Sequence, residues 1–150
     1  MEPPLIDSYG RILNYLRISV TDQCNLRCVY CLPPETVPSL PRQDLLTAPE
    51  IERIARMAIS LGMTKIRITG GEPLVRPDIE NLLSRLGALP GIHDYALSTN
   101  GILLAEKAHA IHEAGIQRVN IGLDTLHPER FKEMTRRDEY RRAIEGLNAI

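Results

Sequence analysis

The chain has 150 residues, 43% of them apolar and 25% charged, with a formal net charge of -1. That is the balance of a soluble globular domain with one core; it offers no basic field for nucleic acid, and no apolar run reaches the about eighteen residues that would span a bilayer. Met1 to Gly10 carries acids and prolines rather than a basic stretch followed by an apolar one, so no secretory signal is expected and a reducing cytoplasm fits best.

The first element is a strand-like run from Tyr15 to Thr21, and Cys24-Asn25-Leu26-Arg27-Cys28-Val29-Tyr30-Cys31 follows it directly. All three cysteines of the chain therefore sit at one strand end, spaced Cys-x3-Cys-x2-Cys. Thiolates this close can address one centre, and iron–sulfur clusters are held mainly by such thiolates, normally four of them. Three would leave one iron of a four-iron cube open, as a catalytic zinc keeps one position open, so the motif reads as reactive. Small buried cysteines, or a zinc knuckle with a distant fourth ligand, are the plainer alternatives. A disulfide framework fits poorly with an odd count and such short loops.

Further along, Thr47-Ala48-Pro49-Glu50 is a capping box, and Ile51, Ile54, Ala55, Ala58 and Ile59 form an apolar stripe that Gly62 closes. A second strand is expected at Lys65 to Thr69. Ile79, Leu82, Leu83 and Leu86 then repeat the helical spacing up to Pro90-Gly91. A third strand at Asp94 to Ser98 precedes the turn Asn100-Gly101, a helix through Leu104, Ala108 and Ile111 stops at Gly115, and a fourth strand is expected at Arg118 to Gly122. From about Asp138 to Ile150 another helix sets Tyr140, Ile144 and Leu147 on one face, with Arg136-Arg137 as its solvated start. Met57 and Met63 read as core filler, and the four histidines match no metal spacing.

This is an α/β series of about four βα units, in one domain over residues 1–150 with no linker. Four units leave sheet edges unpartnered, so the chain is expected to be the N-terminal portion of a longer core or to be completed by another element. Ligands of such folds sit at the C-terminal strand ends. There the sequence places the cysteines, Gly70-Gly71-Glu72-Pro73, Thr99-Asn100-Gly101 and Asp124. Paired glycines would let a ligand approach bare backbone. Alternation sends Leu16, Ile18, Val20, Ile66 and Ile68 under the helices and turns Arg17, Ser19, Arg67 and Thr69 to the other, inner face. Two guanidiniums there call for an anion, either Glu72 or Asp124 within the chain or a phosphorylated substrate.

The cysteine loop, the glycine loop and the βα order together resemble the radical S-adenosylmethionine enzymes. Asp7-Ser8-Tyr9-Gly10-Arg11, Leu16 to Asp22, Lys65 to Leu74, Ser98 to Gly101 and Thr135-Arg136-Arg137-Asp138 are similar, more narrowly, to the GTP 3′,8-cyclase (MoaA) family of molybdenum-cofactor biosynthesis. The resemblance implies a partial (β/α)6 TIM-like barrel and a lyase. Cys24, Cys28 and Cys31 would bind a [4Fe-4S] cluster whose open iron takes S-adenosyl-L-methionine, with Tyr30, Gly71 and Gly122 as further cofactor contacts. Reductive cleavage of that cofactor would give a 5′-deoxyadenosyl radical that takes the C3′ hydrogen of GTP, and C3′ would then close onto C8. Arg17, Arg67 and Thr99 match GTP-binding positions, with Arg17 also counted as catalytic.

The implied partners are GTP and an electron donor such as flavodoxin or ferredoxin, with a homodimer as an option, and no nucleic acid or membrane. Gly122 stands where the family usually has serine, and Leu32 where methionine is common. The family's C-terminal half, with its second three-cysteine cluster, has no counterpart in these residues, so this stretch alone is expected to turn over little. A radical enzyme with another substrate, or a non-catalytic iron–sulfur module, are the other readings.

Overall fold

The computed structural model describes residues 5–31 and 39–150; Leu32 lies outside them. Four parallel strands, β1 (Tyr15–Ser19), β2 (Lys65–Thr69), β3 (Asp94–Thr99) and β4 (Arg118–Ile121), form one sheet in the order β1-β2-β3-β4. Helices α1 (Ala48–Ser60), α2 (Ile79–Gly87) and α3 (Leu104–Glu113) link them, and α4 (Pro128–Thr135) and α5 (Tyr140–Asn148) follow β4. Every strand lies within two residues of its expected place, because β-branched alternation between glycine and proline breaks is a strong local signal.

The apolar parity of the strands fixes where the core lies. Ile66, Ile68 and Leu97 are essentially inaccessible and share one cluster with Ile51 and Ala55 of α1, Ile79, Leu82, Leu83 and Leu86 of α2, and Leu104 and Ile111 of α3. Leu16 and Ile18 pack against it from the edge strand. The opposite sheet face carries the polar parity and stays outside this core.

Local chemistry sets the helix ends. Thr47 donates both its N–H and its hydroxyl to one Glu50 carboxylate oxygen, at 2.8 and 2.7 Å, and starts α1. The buried line of α1 is narrower than expected: Ile51, Ala55 and Ala58 face inward, whereas Ile54 and Met57 are 45% and 58% exposed. A 3.6-residue period turns Met57 well away from that line, so it is not core filler. On α5 the inward face is Ala143 and Gly146, and Leu147 is exposed. A Cβ on Gly146 would lie 2.0 Å from the Gly101 carbonyl oxygen, so α5 docks backbone against backbone on the turn after β3. Helix α4 escaped the sequence reading; it starts with Pro128 in its first turn and buries Phe131 and Thr135. Arg136 closes α4 in the left-handed region, at φ 54°, rather than opening α5. Among the described residues, no helix is long and apolar enough to cross a membrane.

Candidate active site at the C-terminal strand ends

Strand register lines up the inner-face residues in rungs. Arg17 pairs with Arg67, Arg67 with Ala96 and Ala96 with Arg118; nearer the C-terminal ends Ser19 meets Thr69 and Ser98 meets Asn120. Above these rungs opens a cavity of about 420 Å³, within the range of small-molecule sites. Cys24, Cys28, Cys31, Tyr30, Gly71 and Glu72 line it, together with Arg67, Thr99, Asn120, Gly122 and Asp124. The structure thus brings the expected site residues together, with one exception. Arg17 sits on the edge strand, exposed, and is not part of the cavity wall.

All three cysteines are free thiols, Cys24 and Cys28 half-buried and Cys31 exposed. Cys24 Sγ accepts the Leu26 N–H at 3.4 Å, and the Asn100 amide lies 4.0 Å from it while donating to Asn25 at 2.7 Å. Burial is the main cause that pushes the Cys24 thiol above its ordinary range. The loop is anchored from below by an element that the sequence reading missed. The last carbonyls of α4, which have no intrahelical partner, accept from it: Arg27 N–H binds Thr135 O at 3.0 Å and Val29 N–H binds Met134 O at 2.8 Å. Arg136 Nη1 returns a bond to Arg27 O at 3.3 Å, and the Arg27 guanidinium ties Cys24 O and Leu26 O within the loop at 2.6 and 2.9 Å. Leu26 packs with Ile102, Phe131 and Ala143, against which Cys24 and Cys28 rest. The signal available in the sequence was Thr135-Arg136-Arg137-Asp138, but its contact with a loop more than a hundred residues earlier is invisible to periodicity.

The glycine loop explains itself by packing. A Cβ on Gly71 would lie 2.4 Å from Gln23 O and 2.7 Å from Asp22 O, and one on Gly70 would lie 2.7 Å from Thr21 O. What approaches this bare backbone is the start of the cysteine loop. Gly71 N–H binds Thr21 O and Glu72 N–H binds Gln23 O, both at 2.8 Å, so the β1–β2 pairing continues into the loop. Glu72, 1% exposed, accepts from Leu74 N–H at 3.0 Å, the Thr99 hydroxyl at 2.8 Å and Asn100 N–H at 2.7 Å. Burial raises its carboxyl pKa in spite of these donors. Thr99 also accepts the Gly101 N–H at 3.1 Å, so its hydroxyl works chiefly inside the fold.

Across the cavity, Tyr30 donates its hydroxyl to Asp124, tying the cysteine loop to the segment after β4; that bond, ahead of burial, pushes the phenol above its ordinary range. The anticipated pairing of the inner arginines with Glu72 or Asp124 is not made: both carboxylates spend themselves on the donors just named. Arg67 instead lies over the Tyr15 ring, 5.6 Å from its centroid, and reaches Asn120. Gly122 is uncrowded, with Thr99 O 3.9 Å from where a Cβ would stand, so the fold does not require glycine there. Among the described residues, no histidine lines the cavity.

Comparison with known proteins agrees with this arrangement. The family model described as the Radical SAM superfamily matches residues 18–150. The chain is 54% identical to the GTP 3′,8-cyclase of Pelotomaculum thermopropionicum over 143 residues, 95% of this chain and 44% of that protein. It is 51% identical to the GTP 3′,8-cyclase of Geobacter sulfurreducens and 48% identical to that of Petrotoga mobilis, each over 145 residues, 97% of this chain and 44% and 45% of theirs. The chain therefore spans less than half the length of these relatives. Its fold matches the crystal structure of HydG, a maturase of the [FeFe]-hydrogenase, with a TM-score of 0.69 over 90% of this chain and 31% of that one, at 16% identity. A parallel α/β sheet with three free thiols on its C-terminal rim and a family match across nearly all of it place the chain in the radical SAM superfamily, whose members work with a [4Fe-4S] cluster and S-adenosylmethionine.

Proposed function

We propose that this chain is the N-terminal catalytic portion of a GTP 3′,8-cyclase: an enzyme that removes hydrogen from C3′ of GTP and joins C3′ to C8 of the guanine, in molybdenum-cofactor synthesis. The observation that carries the reading is the stacking, on one sheet face, of a three-thiol rim above a guanidinium not matched by a carboxylate.

The donor set fits an iron–sulfur cluster. Cys24, Cys28 and Cys31 are the ligands, and the N–H donors around Cys24 are of the kind that tune cluster sulfurs. Among the described residues no three His, Cys, Asp or Glu side chains converge on one metal-ion position; thiolates that each take a different corner of a cube do not have to. When bound, cluster and S-adenosylmethionine together supply one-electron reductive cleavage and hydrogen-atom abstraction. The chain's own residues do the rest. Glu72 and Gly71 fix the wall beside the cysteine loop, and Tyr30, in that loop and held by Asp124, would contact the cofactor. Gly122 leaves its backbone open, and Thr99 keeps Glu72 in place at the cavity edge. Arg67, from the cavity wall, and Arg17, exposed one strand over on the same rung, bind the triphosphate. A small one-electron protein such as flavodoxin or ferredoxin serves as reductant in the cytoplasm, and a homodimer fits the same reading.

Anaerobic reconstitution tests the centre: about four irons and four sulfides per bound cluster are expected. Uptake of a single zinc with no iron–sulfur absorption would sink it. For the substrate, the full-length enzyme should form a cyclised product from GTP, and substituting Arg17 or Arg67 by alanine should abolish it; no cyclised product from GTP would point to a different substrate, and unchanged turnover in both variants would remove the two arginines from triphosphate binding.

A further inference from the structure

We infer that Asn120 is a positioning residue: its amide oxygen holds the Arg67 guanidinium across the inner sheet face and leaves the charge of that guanidinium free for the phosphates of a nucleoside triphosphate. This rests on the nucleotide reading above.

Three observations combine. Arg67 on β2 pairs in register with Ala96 on β3, and Ala96 is 1% exposed, so the small methyl leaves a shallow lane over β3 along which a long side chain can lie. Asn120 stands on β4 at the far side of that lane. With its amide oxygen turned toward Arg67 it accepts from both Nη1 and Nη2 at 3.1 Å, which satisfies both groups. The Arg67 Nε is buried and has no hydrogen-bond partner among the described residues, so beside the face contact with the Tyr15 ring the hydrogen bonds that orient the guanidinium are those at its tip.

The choice of acceptor matters. A carboxylate at this position would hold the guanidinium at least as firmly, but it would neutralise the charge and repel an incoming phosphate. A neutral amide gives direction without cancelling the field. Arg118, two strands from Arg67 at the same rung, shows the contrast: its guanidinium is taken by both oxygens of Asp94, at 3.0 and 2.8 Å. Of the two guanidiniums, only the one held by an amide lines the cavity.

The test uses isothermal titration of the full-length enzyme with inorganic tripolyphosphate, GTP and guanosine, in wild type, Arg67→Met, Asn120→Ala and Asn120→Asp. Asn120→Asp should melt no lower than wild type, since it gains an ion pair, yet bind tripolyphosphate and GTP more weakly by about tenfold or more, the size of effect expected from pairing a charge-assisted donor. Asn120→Ala should lose less affinity than Asn120→Asp although it melts lower. KM for GTP should rise with kcat nearly constant, and guanosine affinity should not change. A merely structural role would order the variants the other way, affinity falling with stability. Wild-type affinity for tripolyphosphate in Asn120→Asp overturns the inference, and that variant decides alone if Asn120→Ala does not fold. If Arg67→Met loses tripolyphosphate binding while both Asn120 variants keep it, the positioning role falls and the nucleotide reading stands. If Arg67→Met keeps it too, both fall.

Discussion

Gly71 and Gly122 lie on the same rim and respond oppositely to a side chain. At Gly71 a methyl group would have to displace the backbone oxygens of Asp22 and Gln23, which belong to paired main chain and cannot swing aside. Gly71→Ala should therefore cost several kcal/mol, about 3 or more by the standard of strained backbone sites, and show as a large fall in Tm. Gly122→Ser meets only ordinary contact and should change stability by less than about 0.5 kcal/mol, while placing a hydroxyl in the cavity; a fall in Tm comparable to that of Gly71→Ala would refute the contrast. Glu72 gives a third test. Burial raises its carboxyl pKa in the folded state above the ordinary 4.5, so the fold prefers the protonated form. The stabilisation is full below that ordinary value and is lost as pH rises through the elevated folded-state value. Glu72→Gln removes this dependence but turns an NH2 toward N–H donors, costing about 1–3 kcal/mol. Urea unfolding across the acid range should give a flatter profile for the variant; parallel profiles would show that Glu72 titrates normally.

At the scale of elements, α4 is a pedestal for the cysteine loop rather than another helix of the barrel. Thr135, 3% exposed, donates to Phe131 O at 2.7 Å and accepts from Arg137 N–H at 3.3 Å, which shapes the helix end whose carbonyls hold Arg27 and Val29. Thr135→Val should weaken that end by about 1–3 kcal/mol, as a lost buried hydrogen bond does, and Thr135→Ser should restore it. Amide hydrogen exchange reads the effect: Arg27 and Val29 should lose protection while Ile68 and Leu97 in the central strands keep theirs, and equal loss everywhere would mean simple global destabilisation. The sequence was legible for elements whose determinants are local. The strands followed from alternation, α1 from Thr47 to Glu50, and α2 from its four leucine and isoleucine positions. Helix α4 was not, because only Phe131 and Thr135 are buried in it and its partners are far away in the chain. The buried face of α5 was misjudged because it is made of Ala143 and Gly146, which carry no hydrophobic signal.

At the scale of the molecule, the sheet separates two environments by parity alone. One face is an aliphatic core shared with α1, α2 and α3; the other is a polar ladder that ends in the thiol rim. The chemistry-bearing residue types at the strand ends were visible in the sequence because every βα loop begins there. What each of them does was less visible. The glycine pair lines the cavity as expected of a ligand's approach, but the space a Cβ would take is filled by the cysteine loop's backbone; Arg17 and Arg67 were both expected on the inner face, and of the two only Arg67 reaches the cavity wall. Those outcomes depend on register and on three-dimensional neighbours, which residue spacing does not encode.

The bond from Arg136 to Arg27 O joins positions 109 apart in sequence, and the α4 carbonyls close on the same loop. Contacts of such range form late, after the intervening chain has been ordered. During synthesis the thiols emerge well before the pedestal that fixes their loop, which is translated only after all four strands. Iron delivered earlier would meet three thiols on a loop tied at its start through Gly71 and Glu72 but not yet at Arg27 and Val29. The topology therefore sets an order of maturation in which sheet, pedestal and cysteine loop assemble before the loop is rigid enough to hold a cluster.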